Sequence, residues 1–387
     1  MDRPIFDAEH DALRAAWGQY LDREVAPAYD EWERARRIPR EVLRRIGDLG
    51  FLGPAVPEEY GGPGTDDFRF NAVLTEEPAR RGFTGVAMAL SVHHDVALPY
   101  ILELGTDEQK ARWLPGLASG ELIAAIAMSE PGTGSDVAAI ATRARRRNGS
   151  YVVSGAKTFI SNGLNADLVV TAVRTGDAGR HDDISIVVLE NGMKGFERGR
   201  NLEKLGTHAQ DTAELFFDEV AVPAENLLGE EGRGFQYLMR NLAQERLAIA
   251  VTAVAGARGA LDRTLEYVKE RRAFGRPVGT FQNSRFRLAA CHGELQVTQA
   301  HVDAAIAAHV DGALSAEDAA IAKWWATESQ GRVVDACLQL HGGYGYMLEY
   351  PISRAYADAR INRIYGGSNE IMLEIVGRSL GLGEPRG

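Results

Sequence analysis

The sequence has only two cysteines, Cys291 and Cys337. They form no CxxC pair and no metal-ligand cluster, which excludes a disulfide scaffold and a thiolate zinc site. Both fall in helix-patterned segments and read as buried thiols in a reducing compartment. A GxxxxGK[ST] loop is missing. So is a GxGxxG placed between a strand and a helix with an acid downstream, so neither a P-loop nor a Rossmann dinucleotide fold is indicated. No HExxH occurs. No run approaches the ~18 apolar residues of a membrane span. The N-terminal stretch MDRPIFDAEHDALRAAW lacks the apolar core of a secretory signal and carries acids that a transit peptide avoids. These absences read as a cytoplasmic protein. An excess of basic charge is lacking too: the net charge of -11 argues against a nucleic-acid partner.

What is present fits a soluble globular chain. Apolar residues at 45% and charged residues at 25% allow a sizeable core. The length of 387 residues suggests two or three domains at ~150 residues each. Residues 1–122 carry helical periodicity, with Leu13, Trp17, Tyr20, Leu21 and Val25 recurring, then Val42, Ile46 and Leu49. Further helical runs are expected near 68–81, 84–104 and 106–118. The texture changes at 123. Short β-rich segments follow (LIAAIAMS, ATRARRR, SYVVSGAKTFIS, DLVVTAV, ISIVVLE, AELFFDEVAV), and Asn148-Gly149 is a strong hairpin signal. Residues 123–228 therefore read as a compact β domain. The run Arg143, Arg145, Arg146 and Arg147 reads as a solvated edge strand leading to that turn. Residues 229–387 return to long amphipathic runs of roughly 25–30 residues, the pattern of an antiparallel bundle.

Glu245 is the most informative residue. It lies on the apolar stripe made by Leu238, Leu242 and Ile249 in GFQYLMRNLAQERLAIA. A carboxylate on a buried face is either paired, here with Arg246 or an arginine of another helix, or functional. Other segments suit a ligand. AMSEPGTGSDVAA, residues 127–139, frees its backbone through glycines and offers Ser129, Thr133 and Ser135. KTFISNG offers the face of Phe159 and the hydroxyl of Ser161. ERRAFGRPVGTFQ brings Arg271, whose guanidinium suits phosphate oxygens, together with Phe274 and Gln282. QLHGGYGYMLEYPISRAYAD and RIYGGSNEIMLEI follow, with Ser368 set to cap the last helix. His93-His94 reads as structural, because adjacent residues point to different faces of a helix.

Together these segments resemble the acyl-CoA dehydrogenase family over nearly the whole chain, most closely its long-chain branch. AMSEPGTGSD is similar to the family's first signature, with Thr133 where Ala or Gly is usual. Gln339 to Asp358 fits the second. The resemblance implies a mostly α fold with a middle β domain: an N-terminal helical domain, a β-barrel-like domain and a C-terminal four-helix bundle. It implies a homotetramer, a dimer of dimers, binding FAD between the β domain and the bundle. Ser129 then meets the flavin's pyrimidine edge. Phe159 stands where the family usually has Trp against the isoalloxazine, and Ser161 where it has Thr near N5. Ser135 contacts the pyrophosphate. Arg271, Phe274 and Gln282, with Gln339, Gly342 and Gly343 nearby, serve FAD across a subunit interface. Ser368 and Glu370 fall in the adenosine-binding turn. Ser135, Arg246 and Gly366 are the implied substrate contacts.

One departure identifies the implied base. Many members carry the catalytic Glu in a run such as IYEGT before the last helix; here the run is IYGGS, with Gly366 at that position. The long-chain and isovaleryl branches place the base in a run such as ERL on the first bundle helix, which Glu245-Arg246-Leu247 matches. The implied reaction is removal of the acyl-CoA α-proton by Glu245 and of the β-hydrogen as hydride by flavin N5, yielding the trans-2-enoyl-CoA. The backbone N–H of Gly366 polarises the thioester, and an electron-transferring flavoprotein receives the electrons. A short branched-chain (isovaleryl-type) or carrier-protein-bound acyl substrate stays open. So do an oxygen-using relative, whether acyl-CoA oxidase or flavin monooxygenase, and a non-catalytic flavoprotein subunit.

Overall fold

The computed structural model describes residues 3–177 and 181–382. The expected outer limits of the first and third regions, residues 1 and 387, lie outside these. Seven helices come first: α1 (Ala8–Tyr20), α2 (Tyr29–Ala35), α3 (Arg40–Asp48), α4 (Phe68–Arg81), α5 (Thr84–Ser91), α6 (Leu98–Leu104) and α7 (Asp107–Ser119). Asp7 and Thr106 open α1 and α7 with reciprocal capping boxes. Gly82 and Gly120 close α4 and α7 in the left-handed conformation. The recurring Trp17, Leu21 and Val25 pack with Ile46, Val86 and Leu90 into one core. Leu49 instead lies past the end of α3 and is exposed.

Two π-helical turns, Leu21–Val25 and Val92–Ala97, interrupt this region. Such turns shift the helical register, and simple periodicity cannot reveal them. The second joins α5 to α6. The resulting stretch, Thr84–Leu104, is long and apolar enough to cross a membrane by length and composition. It is not an uninterrupted apolar run, since His93, His94 and Asp95 lie within it. Most of it is buried inside the protein, with Val86, Ala89 and Leu90 in one core and Ala97, Leu98 and Ile101 in another.

The middle of the chain forms one sheet from β1 (Ala124–Ala127), β2 (Arg143–Arg147), β3 (Ser150–Ser161), β4 (Leu168–Arg174), β5 (Ile184–Glu190), β6 (Phe196–Asn201), β7 (Thr212–Pro223) and β8 (Leu227–Leu228). Its order is β6-β7-β3-β2-β4-β5-β8, with β1 parallel to β4. Asn148 and Gly149, at φ 51° and 78°, make the two-residue turn that sets Arg147 opposite Ser150. The arginines of β2 are exposed, as expected. The strand is not a free edge, however: it pairs with β3 along its length and meets β4 at Arg143–Arg174. Two strands gave no sequence signal. β6, FERGRN, has no buried alternation, and β8 is two residues long.

Helices return with α8 (Gly234–Glu270), then a small hairpin of β9 (Arg272–Ala273) and β10 (Arg276–Pro277), α9 (Gln282–Val310), α10 (Ala316–His341), α11 (Pro351–Ala359) and α12 (Asn369–Ser379). At 37 residues α8 exceeds the expected length. It is rich in small residues because it lies against main chain: a Cβ at Gly259 would sit 1.8 Å from the Arg80 carbonyl oxygen. Cys291 and Cys337 are buried free thiols in α9 and α10. His93 is structural: its ring takes the Ala124 N–H at 3.1 Å and meets the Leu117 carbonyl at 3.0 Å, tying the π turn to β1 and α7.

Candidate active site

Glu245 sits on the face of α8 that also carries Ile249 and Thr252, at helical spacings of four and three. All three line a cavity of about 150 Å³. Glu245 is 4% exposed. Among the described residues it forms no ion pair, and the salt bridge to Arg246 is absent. Its Oε1 accepts the hydroxyl hydrogen of Tyr100 from α6 at 3.1 Å. Burial pushes the carboxyl pKa up to about 7; the Tyr100 bond and the Arg246 charge oppose that rise.

The opposite wall comes from the sheet. Ser129, Phe159 and Ser161 line the same cavity. The pairing of β3 with β7 is irregular between Lys157 and Ile160, and Phe159 there adopts φ 60° and is 70% exposed. A left-handed backbone is costly for a bulky residue and marks a functional position more often than an accidental one. Lys157 and Glu130 hold this region from behind. The fully buried Lys157 ammonium donates to Glu130 at 2.8 Å and to the Met128 carbonyl at 3.0 Å. Glu130 also accepts the Ala141 and Thr142 amides at 2.6 and 2.9 Å, closing the glycine-rich loop at both ends. Burial opposes ionisation of Glu130, but Lys157 and these hydrogen bonds outweigh it and hold its pKa below the ordinary value. Burial draws the Lys157 ammonium down to about 8.

The third wall is the turn before α12. Tyr365 and Gly366 line the cavity, with Gly366 at φ 64°. Lys323 of α10, also buried, donates to the Gly367 carbonyl at 2.8 Å and to Asn369 at 2.9 Å. The Arg246 Nε lies 3.5 Å from the Gly366 carbonyl oxygen. The Gly366 N–H has no hydrogen-bond partner among the described residues. Arg246 thus braces the turn rather than pairing with its neighbour.

A second cleft of about 350 Å³ shares Met88, Phe159, Ser161 and Tyr365 with the first. Leu202 to Thr207, Thr212, Ala357, Arg360, Ile361 and Ile364 complete it. Asp358 accepts the Thr207 N–H at 2.5 Å and fixes one wall to α11. An exposed aromatic face, adjoining hydroxyls and an open cleft between sheet and bundle suit a planar ring with polar edges. Gly132 and Gly134 on the neighbouring loop have open space where a Cβ would stand, so a ligand can approach the main chain there. The residues present fit FAD.

Ser129, Phe159, Ser161, Glu245 and Gly366 are therefore brought together. Ser135 is exposed and lines neither cavity. Arg271, Phe274, Gln282, Gln339, Gly342 and Gly343 collect elsewhere, where α8 ends, α9 begins and α10 ends. Along α8 the step from Glu245 to Arg271 is roughly 40 Å at ~1.5 Å per residue, beyond the reach of one dinucleotide. Phe274 is 95% exposed at φ 50°, and Arg271 lies over the Tyr344 ring. Ser368 occupies the N-cap position of α12 but makes no cap bond. The Glu370 carboxyl is held below the ordinary carboxylate range, first by the nearby Ser368 hydroxyl. Sequence reasoning missed Tyr100, Tyr365, Lys157 and Lys323. Lys157 stands beside the flagged Phe159, and a lysine in an alternating strand is a weak signal. Tyr100 and Lys323 gave none.

Comparison with known proteins agrees with this geometry. Residues 7–121, 125–220 and 232–381 match in turn the N-terminal, middle and C-terminal domains of acyl-CoA dehydrogenase. The chain is 44% identical over 380 residues to the mitochondrial long-chain specific acyl-CoA dehydrogenase of Mus musculus, covering 98% of this chain and 88% of that one. The crystal structure of acyl-CoA dehydrogenase from Geobacillus kaustophilus superposes with a TM-score of 0.94 at 46% identity, covering 97% and 99% of the two chains. That of the Bacillus anthracis acyl-CoA dehydrogenase complexed with FAD gives 0.91 at 31% identity, covering 97% and 68%. The chain belongs to the acyl-CoA dehydrogenase family and carries out the FAD-dependent dehydrogenation of an acyl-CoA.

Proposed function

We propose that Glu245 is the base that removes the α-proton of the bound acyl-CoA. One observation carries this reading: a buried carboxylate without an ion pair opens on the cavity that Phe159, Ser161 and Gly366 also line. A pKa near 7 keeps a useful fraction ionised at neutral pH while leaving it basic enough to accept a proton. The unpartnered Gly366 N–H is the donor to the thioester oxygen, where negative charge develops as the proton leaves. Arg246 and Lys323 hold the turn that presents it. Phe159 would pack against the cofactor ring, with Ser129 and Ser161 at its edges. FAD, when bound, supplies the two-electron oxidation by accepting the β-hydrogen as hydride at N5. Atoms balance: the α-proton goes to Glu245, the β-hydrogen and its electron pair would pass to the bound cofactor, and a trans Cα–Cβ double bond would form.

The apolar side chains Met88, Val92, Val96, Ile126 and Ile249 around Glu245 suit a hydrocarbon tail. With the likeness to a long-chain specific relative, they favour straight fatty acyl chains over isovaleryl-type or carrier-bound substrates. Electrons leave to an electron-transferring flavoprotein. The exposed cluster from Arg271 to Gly343, far from its own chain's cleft, supports a homotetramer in which it serves a neighbouring subunit's FAD. Turnover of straight and branched acyl-CoAs with a dye acceptor tests the substrate. Highest kcat/KM on long straight chains is expected; a maximum on isovaleryl-CoA, or oxygen consumption in place of dye reduction, contradicts the reading.

A further inference from the structure

We infer that Tyr100 is a positioning residue for the reaction: its hydroxyl grips one oxygen of Glu245 and leaves the other facing the substrate. The inference rests on the assignment of Glu245 as base. Tyr100 is 0% exposed, and its hydroxyl donates to Glu245 Oε1 at 3.1 Å. Tyr100 does not line the cavity, whereas Glu245 does, so the bond comes from behind. Glu245 Oε2 makes no hydrogen bond among the described residues and is not among the sealed unpartnered atoms, so it opens on the cavity.

The phenol stays a donor, because burial and then Glu245 itself raise its pKa well above the ordinary tyrosine value. A donated hydrogen bond favours the ionised carboxylate, against a burial cost that the neighbouring Arg246 charge also opposes, by less than the Tyr100 bond. The ring belongs to a rigid support: Tyr100 packs with Leu98, Ile101, Trp113 and Leu238 in one core. Leu238 is on α8, so the helix that carries the base and the helix that orients it share their packing. A base held by one oxygen loses little freedom when the substrate arrives.

The test is Tyr100→Phe, which keeps the ring and removes the hydroxyl. Flavin-loaded enzyme is mixed with saturating acyl-CoA, and the single-turnover rate of flavin bleaching is followed across pH. The acid limb is expected to move up by roughly one pH unit, with the substrate concentration for half-maximal rate changed by less than about twofold. Flavin content confirms folding. A thermal-unfolding cycle at pH 8 with Glu245→Gln supplies a second readout, in which the Tyr100→Phe penalty shrinks once the carboxylate is gone. An unmoved limb, with Glu245→Gln inactive, overturns the positioning role and leaves the base in place. Normal turnover by Glu245→Gln removes the base, and the role of Tyr100 with it.

Discussion

A Cβ placed on Gly366 would lie 2.4 Å from Cδ1 of Ile249, one helical turn beyond Glu245 on α8. The position to which the family resemblance assigns the base in many members is thus filled from α8, the helix that carries Glu245, the proposed base. Gly366 also stands at φ 64°, which costs a side-chain-bearing residue ~1–2 kcal/mol. Moving the carboxylate therefore needs two changes. Glu245→Gln/Gly366→Glu is expected to stay at least ~10²-fold below wild type. Adding Ile249→Ala should recover part of the rate. Steady-state turnover of the three variants checks this, and full rescue without the Ile249 change contradicts it.

Glu245 should weaken the fold it serves. Its folded pKa of about 7 lies above the ordinary carboxylate value, so the native state binds the extra proton. Its contribution is fully present below pH ~4.5 and is lost as pH rises through ~7. Glu245→Gln should therefore be more stable than wild type at pH 8, by on the order of 3 kcal/mol. The gap should close near pH 5. Denaturant melts at the two pH values decide this.

Lys157→Met should be severe. It leaves Glu130 buried and charged beneath the glycine-rich loop, a loss of about 3–5 kcal/mol for a broken buried pair. Flavin content after purification should fall with stability. An unchanged melting temperature would mean the pair does not hold that loop.

Phe159→Gly should separate folding from cofactor binding. Glycine adopts φ 60° freely, so relief of roughly 1 kcal/mol is expected in the flavin-free protein. The lost ring face should weaken FAD binding, as measured by titrating FAD into stripped enzyme.

The sequence made most of this legible where chemistry is local. Helix periodicity marked the Trp17–Val25 core and the face of α8, and Asn148-Gly149 marked its turn. Glu245 stood out as a carboxylate on an apolar stripe. The partner that holds it did not. Tyr100 is 145 positions away, and only the packing of α6 on α8 brings them together. Lys323 and the turn at Gly367 are likewise joined by tertiary contact alone. The π turn at Val92–Ala97 and the strand β6 escaped because neither carries a regular period. The Ser368 cap was a fair local inference: the residue stands at the N-cap of α12, but its side chain makes no cap hydrogen bond.

Proton removal by Glu245 is the central step. The most direct measurement is stopped-flow bleaching of the flavin in FAD-loaded Glu245→Gln mixed with a saturating straight-chain acyl-CoA. The predicted result is a rate at least ~10²-fold below wild type at pH 8 with flavin content intact. Bleaching at the wild-type rate would contradict it.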